Sequence, residues 1–261
     1  RDGHQPRPAT RPQGSVKINS STLSVESGQA QSPATVRTYF IGLKIFYRWA
    51  VREELMTRNP MAAIDEPQVP DRAPAIVTES DLRKLLTACA GRDFRDRRDN
   101  AMIRVMLEPG GPRRSELASM TMDGLDMDND LIRLHGKGDR IRYMPYSGRT
   151  GLALAQYMQL REKHRHSDSE AVWLGRFGPM THWAVAQILE VRCKQAGVSK
   201  IKPHQLRHTS ADRWFANDGS ENDAMVLYGW RSRTMLSVYG RSNAVARAHE
   251  AARRKSLGDR F

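Results

Sequence analysis

The chain contains a proline-rich segment at residues 66–74, which reads EPQVPDRAP. Proline fixes the φ angle and lacks a backbone N–H, so three prolines in nine residues favour a stiff, extended linker. The segment divides a chain of 261 residues, which is long enough for two modest domains. We therefore predict a helical unit over residues 32–66, a linker over 67–74 and a larger domain over 75–261.

Residues 1–31 precede the first unit and are rich in Pro, Ser, Gln, Thr and Gly, with little apolar periodicity. This composition is typical of a flexible arm rather than a packed segment. The chain begins with Arg1 and not with Met, which suggests that it is a piece of a longer protein.

The first unit begins with Ser32 and Pro33, a capping side chain followed by a proline suited to the first helical turn. The apolar residues behind them recur at the 3.6-residue period of a helix and are Val36, Tyr39, Phe40, Leu43, Phe46, Tyr47 and Ala50. The opposite face carries the basic residues Arg37, Lys44, Arg48 and Arg52. A solvated surface and a DNA-facing surface explain these charges equally well.

The second unit has mainly helical patterns, interrupted once by a strand pattern. Thr78, with Asp81 three residues later, is predicted to cap a helix, and further helices are expected over 99–107, 151–165 and 181–196. Residues 131–146 form two strand-like runs around the turn sequence GKGD at 136–139, which predicts a β-hairpin with Lys137 at its tip. The fold class is therefore mainly α with a small antiparallel β-sheet, and Cys89 and Cys193 are predicted to be reduced core thiols.

The charge of the chain indicates which class of molecule it binds. It has 42 Lys and Arg against 29 Asp and Glu, a formal charge of +13, and an isoelectric point near 10.2. This favours a polyanion, with nucleic acid as the first choice. An anionic membrane surface is the alternative, but no apolar run approaches the length of a spanning helix and no signal peptide is recognisable. We therefore expect a cytoplasmic protein associated with the nucleoid.

Residues 203–239 carry groups suited to a phosphodiester. Pro203 marks a helix start, and the spacing of His204, Arg207 and His208 places them on one helix face. The guanidinium of Arg207 suits two phosphate oxygens, while His204 can donate a hydrogen bond or move a proton. Tyr239 ends a later helical piece, and its phenol could act as a nucleophile. A solvated basic helix explains residues 204–208 equally well when they are considered alone.

Metal and ATP sites are both disfavoured by the motifs. His204 and His208 have the spacing of a zinc-protease helix, but the glutamate that such a site needs is Gln205 here. The breaker PGGP at 109–112 precedes Arg113 and Arg114, yet the sequence GGPRRSE lacks the phosphate-loop pattern of nucleotide-binding proteins. The side chain of Lys137, which lies between two glycines, can extend far from the backbone. When this residue is considered alone, an ordinary exposed turn lysine is the simpler explanation.

Four separated pieces match one family in their order and spacing. They are GPRRSEL at 111–117, GKG at 136–138, HQLRH at 204–208, and LYGW at 227–230 followed by a tyrosine at 239. Together they resemble the tyrosine recombinase (phage integrase) family over residues 75–243. Residues 32–65 resemble the last part of that family's helical core-binding domain, whose earlier helices are not recognisable. The resemblance implies a recombinase catalytic domain preceded by a partial core-binding domain.

Position by position, the resemblance implies the catalytic set Arg113, Lys137, His204, Arg207, Trp230 and Tyr239, with Glu116 and His208 in supporting positions. Tyr239 would attack a DNA phosphorus and form a 3′-phosphotyrosyl bond, while Lys137 would protonate the departing 5′-oxygen. Trp230 stands where many members have a second histidine, and an indole can donate a hydrogen bond but cannot move a proton. Arg114 is then a bystander, and Tyr228 is the rival phenol.

The resemblance further implies double-stranded DNA as substrate, no cofactor, a homo-tetramer on two DNA sites, accessory directionality factors and a role in a mobile element. Two alternatives remain open. A type IB topoisomerase would use a similar residue set to rejoin the same strand after rotation. A non-catalytic DNA-binding protein would use the basic surface alone.

Overall fold

The computed structural model describes residues 31–70, 75–136, 138, 140–239, 248–249, 252–254 and 258, and over 237–239 it describes the backbone alone. The chain divides into two compact units, Arg1–Arg72 and Ala73–Phe261. This division falls within the proline-rich segment, while the predicted linker limits remain a prediction. The predicted arm, apart from Gln31, lies outside the described residues.

The first unit contains helix α1, Pro33–Arg52, which begins where Ser32 accepts a hydrogen bond from the backbone N–H of Thr35. The predicted helix is therefore confirmed. Its apolar stripe is only partly buried, because Phe40 and Ala50 are covered whereas Tyr39, Leu43 and Phe46 are largely exposed. Periodicity identified the stripe correctly but could not say what covers it.

The helices of the second unit are α2 (Glu79–Thr87), α3 (Phe94–Leu107), α4 (Arg114–Ala118), α5 (Gly148–Arg161), α6 (His182–Ala196), α7 (Pro203–Ala216), α8 (Glu221–Tyr228) and α9 (Arg233–Tyr239). Thr78 caps α2 by accepting from the N–H of Asp81, as predicted. Helix α3 begins earlier than the predicted Asp99, because Asp93 accepts from the N–H of Asp96 at 2.8 Å and provides a cap.

The strands of the second unit form two antiparallel sheets. Strands β1 (Leu125–Asp126), β2 (Leu131–Gly136) and β3 (Arg140–Pro145) are adjacent in that order, whereas β4 (Leu174–Gly175) and β5 (Gly178–Pro179) form a separate pair. The predicted hairpin is β2 and β3, with Ile132 opposite Met144 and Gly136 opposite Arg140. The mainly α fold with a small antiparallel sheet is thus confirmed.

Two apolar clusters hold the second unit together. The larger one joins α2, α3, α5 and α6 to the inner face of the hairpin and contains Leu85, Met102, Ile132, Tyr157 and Leu189, among others. Both cysteines belong to it, and burial raises the pKa of Cys89 to about 12, as expected of an unreactive core thiol. The smaller cluster lies between α7, α8 and α9 and contains Phe215, Tyr228, Trp230 and Leu236.

Helices α3 and α6 are also joined by a buried ion network that the sequence patterns did not indicate. The carboxylate of Asp99 accepts from Arg98 and from Arg192, each at 2.7 Å, and all three side chains are less than one tenth exposed. Arg192 also contacts Asp96 at 2.8 Å. A buried charge is tolerated only when it is paired, so these residues depend on one another.

Candidate active site

A groove of about 1620 Å³ runs between the start of α4, the β2–β3 hairpin, the start of α6 and the residues that connect α8 to α9. Its lining includes a group of basic side chains, namely Arg113, Arg140, Arg142, Arg231, His135 and His182. Glu116 is the one acidic residue among the described residues that line it. The groove is therefore suited to an anionic ligand.

Glu116 organises the arginines at the start of α4. Its Oε2 accepts from the backbone N–H of Arg113 at 2.8 Å, and its Oε1 accepts from the Arg113 guanidinium at 2.6 Å. Arg142 of β3 donates to Oε2 at 2.8 Å. Burial favours the neutral acid, but the charge of Arg142, together with the hydrogen bonds and charge of Arg113, outweighs burial and holds the pKa of Glu116 below its usual value.

The loop before α4 approaches other backbone segments closely, which explains its two glycines. Gly110 has a φ of 83°, and a Cβ there would lie 2.7 Å from the carbonyl oxygen of Leu227. A Cβ on Gly111 would lie 2.4 Å from the carbonyl oxygen of Met106. Only glycine fits both positions, and the resulting turn brings Arg113 to the groove wall.

Arg207 of α7 lies behind this loop and is 1% exposed. Its Nη1 donates to the carbonyl of Gly111, and its Nη2 donates to the carbonyl of Tyr228 at 2.5 Å. Its guanidinium also lies 5.2 Å from the centre of the Tyr228 ring. Arg207 thus joins α7 to the Arg113 loop and to the end of α8, and its contact with a phosphate remains a prediction.

His204 and His208 lie one turn apart on α7, with ring centres 4.3 Å apart in an edge-to-face arrangement. Desolvation, followed by the charges of Arg207 and Arg113, lowers the pKa of His204, although the residue as a whole is exposed. Desolvation and the charges of His204 and Arg207 lower the pKa of His208 to about 4. The neutral form is therefore favoured for both imidazoles at pH 7, and a neutral imidazole carries one N–H.

Neither a metal cluster nor a membrane helix is present in the part of the chain that the structure describes. No group of three His, Cys, Asp or Glu side chains there could hold a metal ion. No helix among those residues is both long enough and apolar enough to cross a bilayer.

Trp230 and Tyr228 form a buried aromatic stack under one edge of the groove. The ring centres of Tyr228 and Trp230 are 4.7 Å apart and the two rings are nearly parallel, while the ring centre of Phe215 lies 6.4 Å from that of Trp230. Gly229, with a φ of 60°, ends α8 between them. Tyr228 is fully buried and shares a 2.7 Å hydrogen bond between its hydroxyl and that of Ser210. Burial raises the pKa of Tyr228, so its phenol is a poor nucleophile.

The structure describes two of the six residues of the predicted catalytic set only in part or not at all. Lys137 is not described, but Gly136 and Gly138, its neighbours in the chain, both line the groove. Tyr239 is described by its backbone alone, at the last position of α9, a helix whose Met235 lines the groove.

The groove therefore brings Arg113, Glu116 and Trp230 together directly. His204, Arg207 and His208 on α7 do not line it, although the charge of Arg113 acts on His204. Sequence reasoning missed Arg142, whose side chain is mostly buried. The sequence did contain a signal for it. Arg142 lies two residues before the core residue Met144, so both side chains are on the same, inner face of β3.

The basic residues predicted to bind DNA lie on α1 in the first unit. Arg37 contacts Glu66 at 2.6 Å, and Arg52 contacts Glu53 at 3.1 Å. The ammonium of Lys44 lies 5.6 Å from the centre of the Phe40 ring, and Arg48 is exposed. Their role in DNA binding remains a prediction.

Known proteins resemble this chain in sequence over most of its length. It is 30% identical over 213 residues to the tyrosine recombinase XerC of Bacillus pumilus, covering 78% of this chain and 69% of that protein. It is 29% identical over 215 residues to the tyrosine recombinase XerC of Azotobacter vinelandii, covering 81% of this chain and 70% of that protein.

Solved structures share the fold. The Tn1549 transposon integrase, in complex with transposon right end DNA, matches with a TM-score of 0.71 at 18% identity, over 86% of this chain and 80% of that one. The XerH site-specific recombinase, bound to a palindromic difH substrate, matches with a TM-score of 0.68 at 17% identity, over 85% of this chain and 67% of that one. The model of the phage integrase family matches residues 75–245, so this chain belongs to that family and is a DNA-binding, site-specific recombinase of the tyrosine type.

Proposed function

We propose that this recombinase cuts and rejoins DNA through a 3′-phosphotyrosyl bond to Tyr239, with the scissile phosphate in the groove beside Arg113. The observation that carries the proposal is the lining of the groove, which includes, among the described residues, four arginines, two histidines and one carboxylate, that of the buried Glu116. Such a surface attracts a polyanion and stabilises the charge that develops on a phosphate. Helix α9 supports the assignment, because Met235 lines the groove on the helix that ends at Tyr239.

In the proposed reaction the Tyr239 oxygen loses its proton to solvent and attacks phosphorus, and the bond from phosphorus to the 5′-oxygen breaks. Arg113 and Arg207 neutralise the non-bridging oxygens, and His204 and Trp230 donate hydrogen bonds to them. For Arg207 this requires a guanidinium N–H directed at the phosphate beside the two that reach Gly111 and Tyr228. The new bond conserves the energy of the phosphodiester, so resealing in this scheme needs neither ATP nor a metal ion.

Lys137 is proposed to give its proton to the departing 5′-oxygen. Its two glycine neighbours line the groove, and Gly138 has a φ of 77° that closes the hairpin turn. A lysine at such a tip has the reach of a flexible side chain and a proton that it can release more readily than an arginine.

Tyr239 is a better candidate for the nucleophile than Tyr228. The Tyr228 hydroxyl is bonded to Ser210, its ring is stacked on Trp230, and its backbone carbonyl accepts from Arg207. Exposing that phenol to DNA would dismantle the smaller apolar cluster. Tyr228 therefore fits a structural position, which supports the assignment of chemistry to the other phenol.

Strand exchange follows when a 5′-hydroxyl from a second duplex attacks the phosphotyrosyl bond and releases Tyr239. This step requires two DNA sites held together, and we propose a homo-tetramer on two sites. We also propose that accessory factors set the direction of recombination and that the recombinase acts on a mobile element.

The proposal is tested with a set of short duplexes that have a randomised core. Each duplex has a nick beside one candidate phosphate. Cleavage next to a nick releases a small fragment, so the covalent complex cannot reseal and is retained on denaturing electrophoresis. The wild-type chain should capture a defined subset of duplexes, while Tyr239→Phe should bind the same DNA without capture. Equal capture by Tyr239→Phe would refute the assignment.

The relaxation of supercoils by a type IB topoisomerase is the competing outcome. The tyrosine recombinase relatives favour recombination over that alternative. A captured site placed twice in a supercoiled plasmid separates the two activities. Recombination yields products with exchanged flanks, whereas a topoisomerase yields relaxed circles of unchanged sequence.

A further inference from the structure

Arg142 is the side chain that connects the walls of the groove, and neither the sequence motifs nor the proposed chemistry give it a role. Its Nη1 donates to the carbonyl of Gly110 at 2.8 Å and to the carbonyl of Leu227 at 2.6 Å. Its Nη2 donates to Glu116 at 2.8 Å. One guanidinium on β3 thereby contacts the loop before α4, the first turn of α4 and the last turn of α8.

The charges around Glu116 suggest what this contact does. The Glu116 side chain is 2% exposed and lies between two arginines, with Arg113 on Oε1 and Arg142 on Oε2. One negative charge beside two positive charges leaves a net positive charge. The Arg142 side chain is 11% exposed, whereas that of Arg113 is 40% exposed. The excess positive charge therefore faces the groove at Arg113.

We propose that Arg142 is a positioning residue that neutralises Glu116, so that Glu116 orients Arg113 without cancelling the positive charge that Arg113 presents to the scissile phosphate. The inference rests on the proposed function, because it takes Arg113 as a phosphate ligand. Without Arg142, the buried carboxylate would have Arg113 as its one charged neighbour among the described residues. The Arg113–Glu116 pair would then be neutral, and a neutral pair stabilises a developing phosphate charge far less.

The position of Glu116 extends the effect to the hairpin. A Cβ placed on Gly136 would lie 3.6 Å from Glu116 Oε1, so the carboxylate lies against the residue that precedes Lys137. An unneutralised Glu116 would therefore place a negative charge next to Arg113 and next to the residue that precedes Lys137.

The test compares single-turnover cleavage by Arg142→Gln, Glu116→Gln and the double variant. Arg142→Gln should slow cleavage roughly 10-fold or more, which is less than the ~10²-fold expected for a direct donor to the phosphate. DNA binding should change little. Adding Glu116→Gln removes the uncompensated charge, so the double variant should cleave faster than Arg142→Gln and as fast as Glu116→Gln alone. A double variant as slow as Arg142→Gln, or slower, would show that Arg142 only fastens β3 in place.

The pH dependence provides a readout that a purely structural role would not change. Among the described residues, the charged groups that face Glu116 are Arg113 and Arg142. Of these two, the charge of Arg142 lowers the pKa of Glu116 more, and the substitution removes it. In Arg142→Gln, protonation of Glu116 at lower pH should replace the missing neutralisation. The ratio of the variant rate to the wild-type rate should therefore rise as pH falls, and this rise should be absent from the double variant. A ratio independent of pH in Arg142→Gln would contradict the proposal.

Arg133→Gln is a matched control, because it removes an arginine from the same sheet whose partner, Asp123 at 2.5 Å, is mostly exposed. Circular dichroism verifies folding.

If Arg142→Gln does not fold, the double variant replaces it in the test, because it has no unpaired buried carboxylate. Its cleavage rate is then compared with that of Glu116→Gln alone. A slower double variant then overturns the inference. A wild-type chain that forms no covalent adduct overturns the proposed function together with the inference, whereas failure of the inference leaves the wild-type adduct intact.

Discussion

Arg113 and Arg114 are adjacent in sequence, yet their different positions in the structure lead us to expect very different effects of their substitution on cleavage. Arg113 lines the groove and contacts Glu116, whereas the Arg114 guanidinium lies 4.7 Å from the centre of the exposed Trp183 ring. Arg113→Ala and Arg114→Ala remove the same charge from neighbouring positions. They therefore form a matched pair that separates a contact with the phosphate from a general loss of positive charge.

The expected magnitudes differ clearly. Loss of one transition-state donor slows cleavage about 10²–10³-fold, which is the effect expected of Arg113→Ala. A cation–π contact at an exposed site is worth about 0.5–1 kcal/mol, so Arg114→Ala should slow cleavage at most about fivefold even if all of that energy affects the rate. Folding should survive Arg113→Ala, because Glu116 keeps its bonds to Arg142 and to the backbone N–H of residue 113.

Single-turnover cleavage of a nicked duplex, with protein in excess, measures both variants under the same conditions. Gel-shift titrations at several salt concentrations should show equal losses of affinity, because each variant lacks one cation near DNA. If Arg114→Ala abolished cleavage while Arg113→Ala cleaved normally, the register of the first motif would be wrong by one residue. The orientation of Arg113 by Glu116 would then have no catalytic meaning.

The remaining predictions concern the leaving group, the buried arginine and the histidine pair. Lys137→Ala should be slow on normal DNA and largely rescued when sulfur replaces the 5′-bridging oxygen, because a thiolate leaves without a proton; rescue of His204→Ala instead would identify His204 as the acid. Arg207→Ala should lose stability as well as rate, since it leaves two buried carbonyls without a donor at about 1–3 kcal/mol each, and wild-type stability in urea would contradict this. The lowered pKa of His208 means that its contribution to stability is complete above pH 6.5 and is lost as pH falls toward about 4. His208→Gln should therefore reduce the loss of unfolding free energy between pH 7 and pH 5, and an unchanged loss in urea titrations would exclude His208 as its source.

Features with local causes could be predicted from the sequence. Ser32, Thr78 and Pro203 mark helix starts through capping or ring geometry, and the structure begins a helix at each of them. The hairpin followed from two strand-like runs around a glycine turn, and its register has Gly136 opposite Arg140. These signals act within a few residues, so the rest of the fold is not needed to interpret them.

Features with distant causes could not be predicted. Arg142 bonds to the carbonyl of Leu227, 85 residues away, and no local pattern shows that a strand arginine will meet the end of a helix. The same holds for Arg207, whose contact with Gly111 spans 96 residues. In the groove, the family resemblance predicts which residues act, and the structure adds that Glu116 contacts both Arg113 and Arg142.

The role proposed for Tyr239 is decided by which residue becomes linked to DNA. A nicked duplex captured by the wild-type chain is digested with nuclease and protease, and the peptide that retains a nucleotide is sequenced by mass spectrometry. We expect the nucleotide on Tyr239, at the end of α9, and we expect Tyr228→Phe still to form the adduct. A nucleotide on Tyr228 would contradict this expectation, because that phenol is buried and bonded to Ser210 in the structure.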